Sequence, residues 1–162
     1  KSKPKVMISY NQASASVQAK ALNALLLEKD YDTWIDFKDM KGEDILTEMA
    51  GAVETSALIC VLYSGAYRES GNCRSECQYA AARNKPMLFV CCDESYKFAD
   101  SWLGIIMGQA LWIAAWSSAE FERNTESLLR RVGDGVSGVA TSSVSAALGA
   151  CAAEVLRAID SK

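Results

Sequence analysis

The sequence predicts an α/β protein in which a mostly parallel sheet carries helices on both faces. Three observations lead there. Short apolar runs alternate along the chain with segments of helical spacing. Two of those runs, ALICVLY (57–63) and PMLFVCC (86–92), are apolar without interruption, as a strand buried on both faces requires. The chain has 162 residues, half of them hydrophobic, which suits one domain around one core.

Each element has its own signal. KVMIS (5–9) is a short apolar run and the first strand. SVQAKALNALLLEK (16–29) has helical spacing, with Val17, Ala21, Leu22, Leu25 and Leu26 expected on one face. YDTWID (31–36) reads as the second strand, with Trp34 packing on the sheet. GEDILTEMAGAVETS (42–56) aligns Ile45, Met49 and Val53 and places acids in the first turn, where the helix dipole favours them. ALICVLY is the third strand, and an Ala-rich helix within SGNCRSECQYAAARNKP (70–86) follows it. PMLFVCC, the fourth strand, opens on Pro86, at a position that tolerates the missing N–H. SWLGIIMGQ (101–109), with two glycines, reads as a short or broken helix, and ALWIAAW (110–116) as a fifth, edge strand whose Trp112 and Trp116 serve core or interface. SAEFERNTESLLRRV (118–132) is amphipathic, with Phe121, Leu128, Leu129 and Val132 inward.

The composition then changes. The domain is expected over residues 1–133, a Gly/Ser-rich linker over 134–144, and a helical extension over 145–162 with Leu148, Cys151, Val155 and Ile159 in register. That extension either docks on the domain, packs on a neighbouring copy, or begins a following segment. The opening KSKPKVMISY passes from basic residues directly into a strand, so it does not read as a signal peptide. Without an initiator Met, the chain reads as a piece of a longer protein.

Composition excludes several function classes. A net charge of −3 argues against a broad nucleic-acid footprint. No apolar run is long enough to span a bilayer, so no membrane contact is expected. There is no histidine, which removes Ser-His-Asp and Cys-His catalysis and any imidazole base. The six cysteines are Cys60, Cys73, Cys77, Cys91, Cys92 and Cys151. With no pair of CxxC motifs they read as buried thiols of a cytoplasmic protein, and neither zinc nor another metal is expected.

Ligands of open parallel sheets sit beyond the carboxyl ends of the strands. SYNQASA, DFKDMKGED and SGAYRESGNC reach that edge after the first three strands. There is no Gly-rich dinucleotide fingerprint and no Walker loop. The third segment leads to Glu76, which shares a helix face with Cys73 at i−3 and Ala80 at i+4. A carboxylate on that small, apolar face is expected to look into a cleft. Arg74 is expected to face solvent or pair with an acidic neighbour.

Taken in order, VMISY, YDTWIDFKDMKGEDI, ALICVLYSGAYRESGNCRSE and KPMLF resemble a Toll/interleukin-receptor (TIR) domain over roughly residues 4–132. The CRSECQYA and WLGIIMGQALW pieces look most like the TIR domains of invertebrate multidomain immune-type proteins. The resemblance implies a flavodoxin-like three-layer fold with a five-stranded parallel sheet. It also implies one of two functions. Some members are NAD+ glycohydrolases whose site is built by assembly. Others are non-catalytic adaptors that act through homotypic TIR–TIR contacts, here through KDMKGED and the helix after it.

In the enzymatic reading Cys73-Arg74-Ser75-Glu76 matches the family's C-x-x-E arrangement, making Glu76 catalytic with Cys73 beside it. Ser9, Tyr10 and Asn11 would line the pocket. Gly42, Glu43 and Asp44 would lie in the loop that touches substrate and mediates assembly, and Tyr96 would stack on the dinucleotide. Many NAD-cleaving relatives are basic just after SY, where this chain has Asn11-Gln12.

The chemistry needs no histidine. Breaking the nicotinamide–ribose bond expels a neutral ring, and positive charge builds on the ribose, where one carboxylate can stabilise it. NAD+ is then a substrate and no cofactor is implied. The products would be nicotinamide with ADP-ribose, cyclic ADP-ribose or both, in innate-immune or cell-death signalling. A phosphoacceptor receiver domain of similar topology is disfavoured, because the first strand is not followed by paired acids for Mg²⁺.

Overall fold

β1 (Lys5–Tyr10) and β3 (Leu58–Tyr63) form the centre of a five-stranded sheet of order β2-β1-β3-β4-β5, in a computed structural model that describes residues 2–35 and 44–138. β2 (Asp32–Ile35), β4 (Met87–Cys91) and β5 (Trp112–Ala114) complete it, and every pairing is parallel. The chain runs outward from β1 to β2 and then returns to β3 on the other side of β1. The crevice beyond the ends of β1 and β3 is therefore the topological switch point. All six residues of β3 are buried, as its unbroken apolar run demands.

Alternation along the strands divides the core. Val6, Ile8 and Tyr10 of β1 face α1 (Gln12–Glu28) and α6 (Ser118–Val136), packing with Leu22, Leu26, Leu128 and Val132. Met7 faces the other layer with Ile59, Val61 and Phe89. That layer holds α2 (Ile45–Thr55), α3 (Gly65–Glu69), α4 (Gly71–Ala82) and α5 (Ser101–Met107), contributing Met49, Val53, Tyr67, Cys77 and Leu103. Each such large apolar side chain contributes about 1.5–3 kcal/mol by leaving water. The result is the three-layer α/β fold expected.

Several boundaries differ from expectation. α1 begins at Gln12, and its buried stripe is Ala15, Ala19, Leu22, Asn23 and Leu26, whereas Val17 is 76% exposed. Small alanines let the helix lie close to the sheet, which turns the branched Val17 outward. The segment after β3 is the five-residue helix α3, capped by Ser64, at the sheet edge where SGAYRESGNC was placed. α6 continues to Val136, past the expected end at 132 and into the start of the segment read as a linker. The rest of that segment and the helix expected over 145–162 lie outside the described residues.

The cysteines 60, 73, 77, 91 and 92 are buried free thiols, and burial pushes Cys60 and Cys77 up to about 12. Trp34 is buried on the sheet as expected. Among the described residues no helix is long and apolar enough to cross a membrane, and no three His, Cys, Asp or Glu side chains cluster to hold a metal ion.

Candidate functional site

Ser70 both ends α3 and caps α4, its hydroxyl accepting the Cys73 N–H at 3.3 Å. From that start the helix buries Cys73, Glu76, Cys77 and Ala80, a stripe at i, i+3, i+4 and i+7. Glu76 occupies one of its inward positions and is 8% exposed. A carboxylate taken out of water costs several kcal/mol unless hydrogen bonds replace the solvent.

The first partner comes from β1. Ser9 takes the inward position two residues after Met7, and its hydroxyl donates to Glu76 Oε2 at 2.8 Å. The Tyr67 hydroxyl lies 2.7 Å from the same Ser9 oxygen. Ser9 has one hydroxyl proton and gives it to the carboxylate, so the Tyr67 O–H donates to Ser9. The polar chain thus runs one way, from Tyr67 through Ser9 to Glu76. Tyr67 is fully buried, and burial first, then the nearby Cys77, Glu76 and Cys73, hold its hydroxyl well above the usual tyrosine range. It stays a donor at any physiological pH. A hydrogen bond to a charged group contributes roughly 1.5–3 kcal/mol, so the tether offsets part of that cost.

Tyr67 is itself fixed by the cap of α3. Its backbone N–H donates to Ser64 Oγ at 3.0 Å, and Ser64 Oγ lies 2.8 Å from Ser14 Oγ in α1. The elements that leave β1 and β3 are therefore pinned together at the switch point.

Glu76 lines a cleft of about 270 Å³. Tyr10, Asn11 and Gln12 come from the β1–α1 junction, Ser70, Asn72 and Cys73 from the start of α4, and Met49 from α2. The Cys73 thiol donates to the Tyr10 carbonyl at 3.5 Å. Asn11 is the N-cap residue of α1, yet its side chain makes no capping bond. Its Oδ1 is buried with no hydrogen-bond partner among the described residues. An unmet acceptor costs about 1–3 kcal/mol, and a hydroxyl or amide brought by a ligand would relieve it. A smaller, mainly apolar hollow of about 140 Å³ lies between α2 and α4, with Leu46, Met49, Val53 and Tyr79 in its wall beside Glu76.

Of the residues expected from sequence, Ser9, Tyr10, Asn11, Cys73 and Glu76 converge here. Asp44 caps α2 at the surface, accepting from the Thr47 hydroxyl at 2.6 Å and the Thr47 N–H at 3.1 Å, which hold its carboxyl below the usual range. It does not line the cleft. Tyr96 also lies apart. The 3₁₀ turn after β4 (Glu94–Tyr96) packs its ring against Tyr63 and bonds its hydroxyl to Asp100 at 2.7 Å, while the Arg68 guanidinium sits 5.3 Å above it. Gly42 and Glu43 lie outside the described residues. Tyr67 was not singled out from sequence, and Met49 was read only as part of a helix face. For Tyr67 a signal existed, since Ser64-Gly65-Ala66-Tyr67 can open a capped helix after the strand.

The family model described as TIR domain matches residues 6–129. Among solved structures, the TIR domain of the Toll-related receptor TRR-2 from Hydra magnipapillata is similar at a TM-score of 0.60 and 13% identity, covering 77% of this chain and 94% of that one. The CMP N-glycosidase BcmB of Clostridium botulinum is similar at 0.58 and 13%, covering 75% and 97%. The TIR domains of the activated Roq1 resistosome, which directly recognises the pathogen effector XopQ, are similar at 0.53 and 19%, covering 83% and 80%. No curated protein matches the chain. At these identities the structural likeness is one of fold.

Proposed function

The chain belongs to the TIR-domain family, and from that premise we propose that it is an NAD+ glycohydrolase, switched on by self-assembly in innate-immune or cell-death signalling. One observation carries the reading: Glu76, the inward carboxylate of C-x-x-E, is buried at the rim of a polar cleft and tethered by Ser9. The Clostridium botulinum neighbour, by its name an N-glycosidase, indicates that such a fold accommodates the breaking of an N-glycosidic bond.

In this reading the ribose next to the nicotinamide lies at Glu76. The bond between ribose C1′ and the ring nitrogen breaks, and its electron pair returns to the ring, which leaves as neutral nicotinamide. The carboxylate faces the positive charge that develops on the ribose and binds its hydroxyls. Water adds at C1′ and loses a proton, giving ADP-ribose. Attack by the adenine of the same molecule instead gives the cyclic product. Asn11 Oδ1, the unmet acceptor in the cleft wall, takes a donor from the sugar or the carboxamide. Ser9 and Tyr67 hold the carboxylate in place and touch no substrate.

The test is nicotinamide release by the concentrated protein, wild type against Glu76→Gln. Equal rates, or no release by the wild type even under crowding, would remove the enzyme.

The rival is a non-catalytic adaptor. It is favoured by Ile45 and Leu46, which are 42% and 67% exposed at the start of α2 and suit a contact between copies. That reading takes over if Glu76→Gln leaves signalling in cells intact.

A further inference from the structure

Beside the Glu76 cleft lies a second polar hollow of about 370 Å³, walled by Arg68, Glu69, Ser70, Arg74, Ser101 and Trp102. Ser70 belongs to both, so the hollows meet at the residue that caps α4. The described wall of the Glu76 cleft contains no lysine or arginine. A dinucleotide whose ribose sits at Glu76 must still place two phosphate charges, and these need a cation or several donors once water is displaced.

The two arginines of the second hollow differ. Arg68 donates to Asp100 and to Glu69, each at 2.6 Å, so acids already match its charge. Arg74 makes no ion pair among the described residues. Its guanidinium instead lies 5.7 Å from the centre of the Trp102 ring. Trp102 is a fixed plate. Its Nε1–H donates to the Arg68 carbonyl at 3.0 Å, and its ring packs on buried Tyr67 with centroids 6.3 Å apart. A guanidinium held by a ring keeps its N–H donors available, and a fork oriented in advance loses little entropy on meeting a phosphate.

We propose that Arg74, held against Trp102, is the phosphate-binding arm of the NAD+ site and engages the diphosphate of a dinucleotide whose reacting ribose lies at Glu76. The assignment rests on the glycohydrolase reading and adds to it where the charged half of the substrate goes. Ser70, at the junction, lies on the path between the two halves.

ADP is the probe, titrated calorimetrically into the whole chain and into Arg74→Ala and Arg74→Lys. Arg74 is exposed, so neither change disturbs the core. Removing one charge-assisted bond is expected to weaken ADP binding by about tenfold in Arg74→Ala. Arg74→Lys recovers little of it, because an ammonium has neither the fork nor the flat face. In turnover, Arg74→Ala raises the KM for NAD+ by a similar factor and leaves kcat nearly alone. ADP that binds wild type and Arg74→Ala equally, or does not bind the wild type, overturns the proposal. Because ADP binding needs no turnover, that failure is separate from failure of the enzyme reading, which would show as undiminished nicotinamide release by Glu76→Gln.

Discussion

Two buried polar clusters bracket the sheet, and they differ in what surrounds them. In one, Thr33 of β2 donates to Asn23 Oδ1 of α1 at 2.6 Å. Both side chains are neutral, both are buried, and neither lines the cleft at the carboxyl ends of the strands. In the other, Tyr67 donates to Ser9 and Ser9 to Glu76 at the switch point, where the carboxylate meets a cleft. Polar burial alone therefore marks nothing. The first cluster fastens a helix to an edge strand. The second places a carboxyl group where burial is costly and beside a cleft, which makes it the candidate site.

The sharpest way to break this contrast is Glu76→Gln. The amide keeps the volume and can still accept from Ser9, but the charge is gone. Nicotinamide release is expected to fall about 10²–10⁴-fold with the fold intact, as for loss of a catalytic group. Ser9→Ala is next. It removes the Ser9 bond from the carboxylate, and the rate is expected to drop roughly ten- to a hundredfold, matching the loss of a charge-assisted hydrogen bond. Thr33→Val is the control on the other cluster. It strands the Asn23 oxygen and should lower unfolding free energy by about 1–3 kcal/mol in denaturant titration, with nicotinamide release unchanged. A rate loss in Thr33→Val as large as that in Ser9→Ala would erase the distinction.

What could be read from the chain follows the same physics. β3 and β4 were legible because a strand covered on both faces must be apolar throughout. The face of α1 was misread, since Ala15 and Ala19 pack through smallness and leave little trace in a hydropathy pattern, while Val17 looks buried and is exposed. Glu76 stood out because its neighbours on the helix face are Cys73 and Ala80, while its catalytic role was read from likeness to the family's C-x-x-E arrangement. Tyr67 did not, because its role depends on Ser9, 58 residues away, and on a helix of five residues. Asp44 and Tyr96 were named through likeness to a family. The structure shows that local bonding occupies them, one as a helix cap and one between Tyr63 and Asp100.

A third polar anchor, half-buried where the other two are buried, gives the smallest expected effect. Asp93 follows β4 and accepts from the Ser95 hydroxyl at 2.6 Å, from the Gly65 N–H at 3.1 Å and from the Ser95 N–H at 3.1 Å. These bonds, the Ser95 hydroxyl foremost, hold its carboxyl below the ordinary aspartate range. A depressed carboxyl contributes stability that is complete above its unfolded value, about 3.9, and is lost as pH falls through the lower folded value. Wild-type stability should therefore decline below about pH 4, and Asp93→Asn should decline less over that interval. Asp44 and Asp100, also depressed, titrate in both proteins, so the difference between the two curves belongs to Asp93 alone. The Gly65 bond reaches the first residue of α3, the helix that carries Tyr67. If this anchor only trims a turn, nicotinamide release at neutral pH stays level in Asp93→Asn. A drop comparable to that of Ser9→Ala would mean that the position of α3, and with it the Tyr67 donor, depends on the surface as much as on the core.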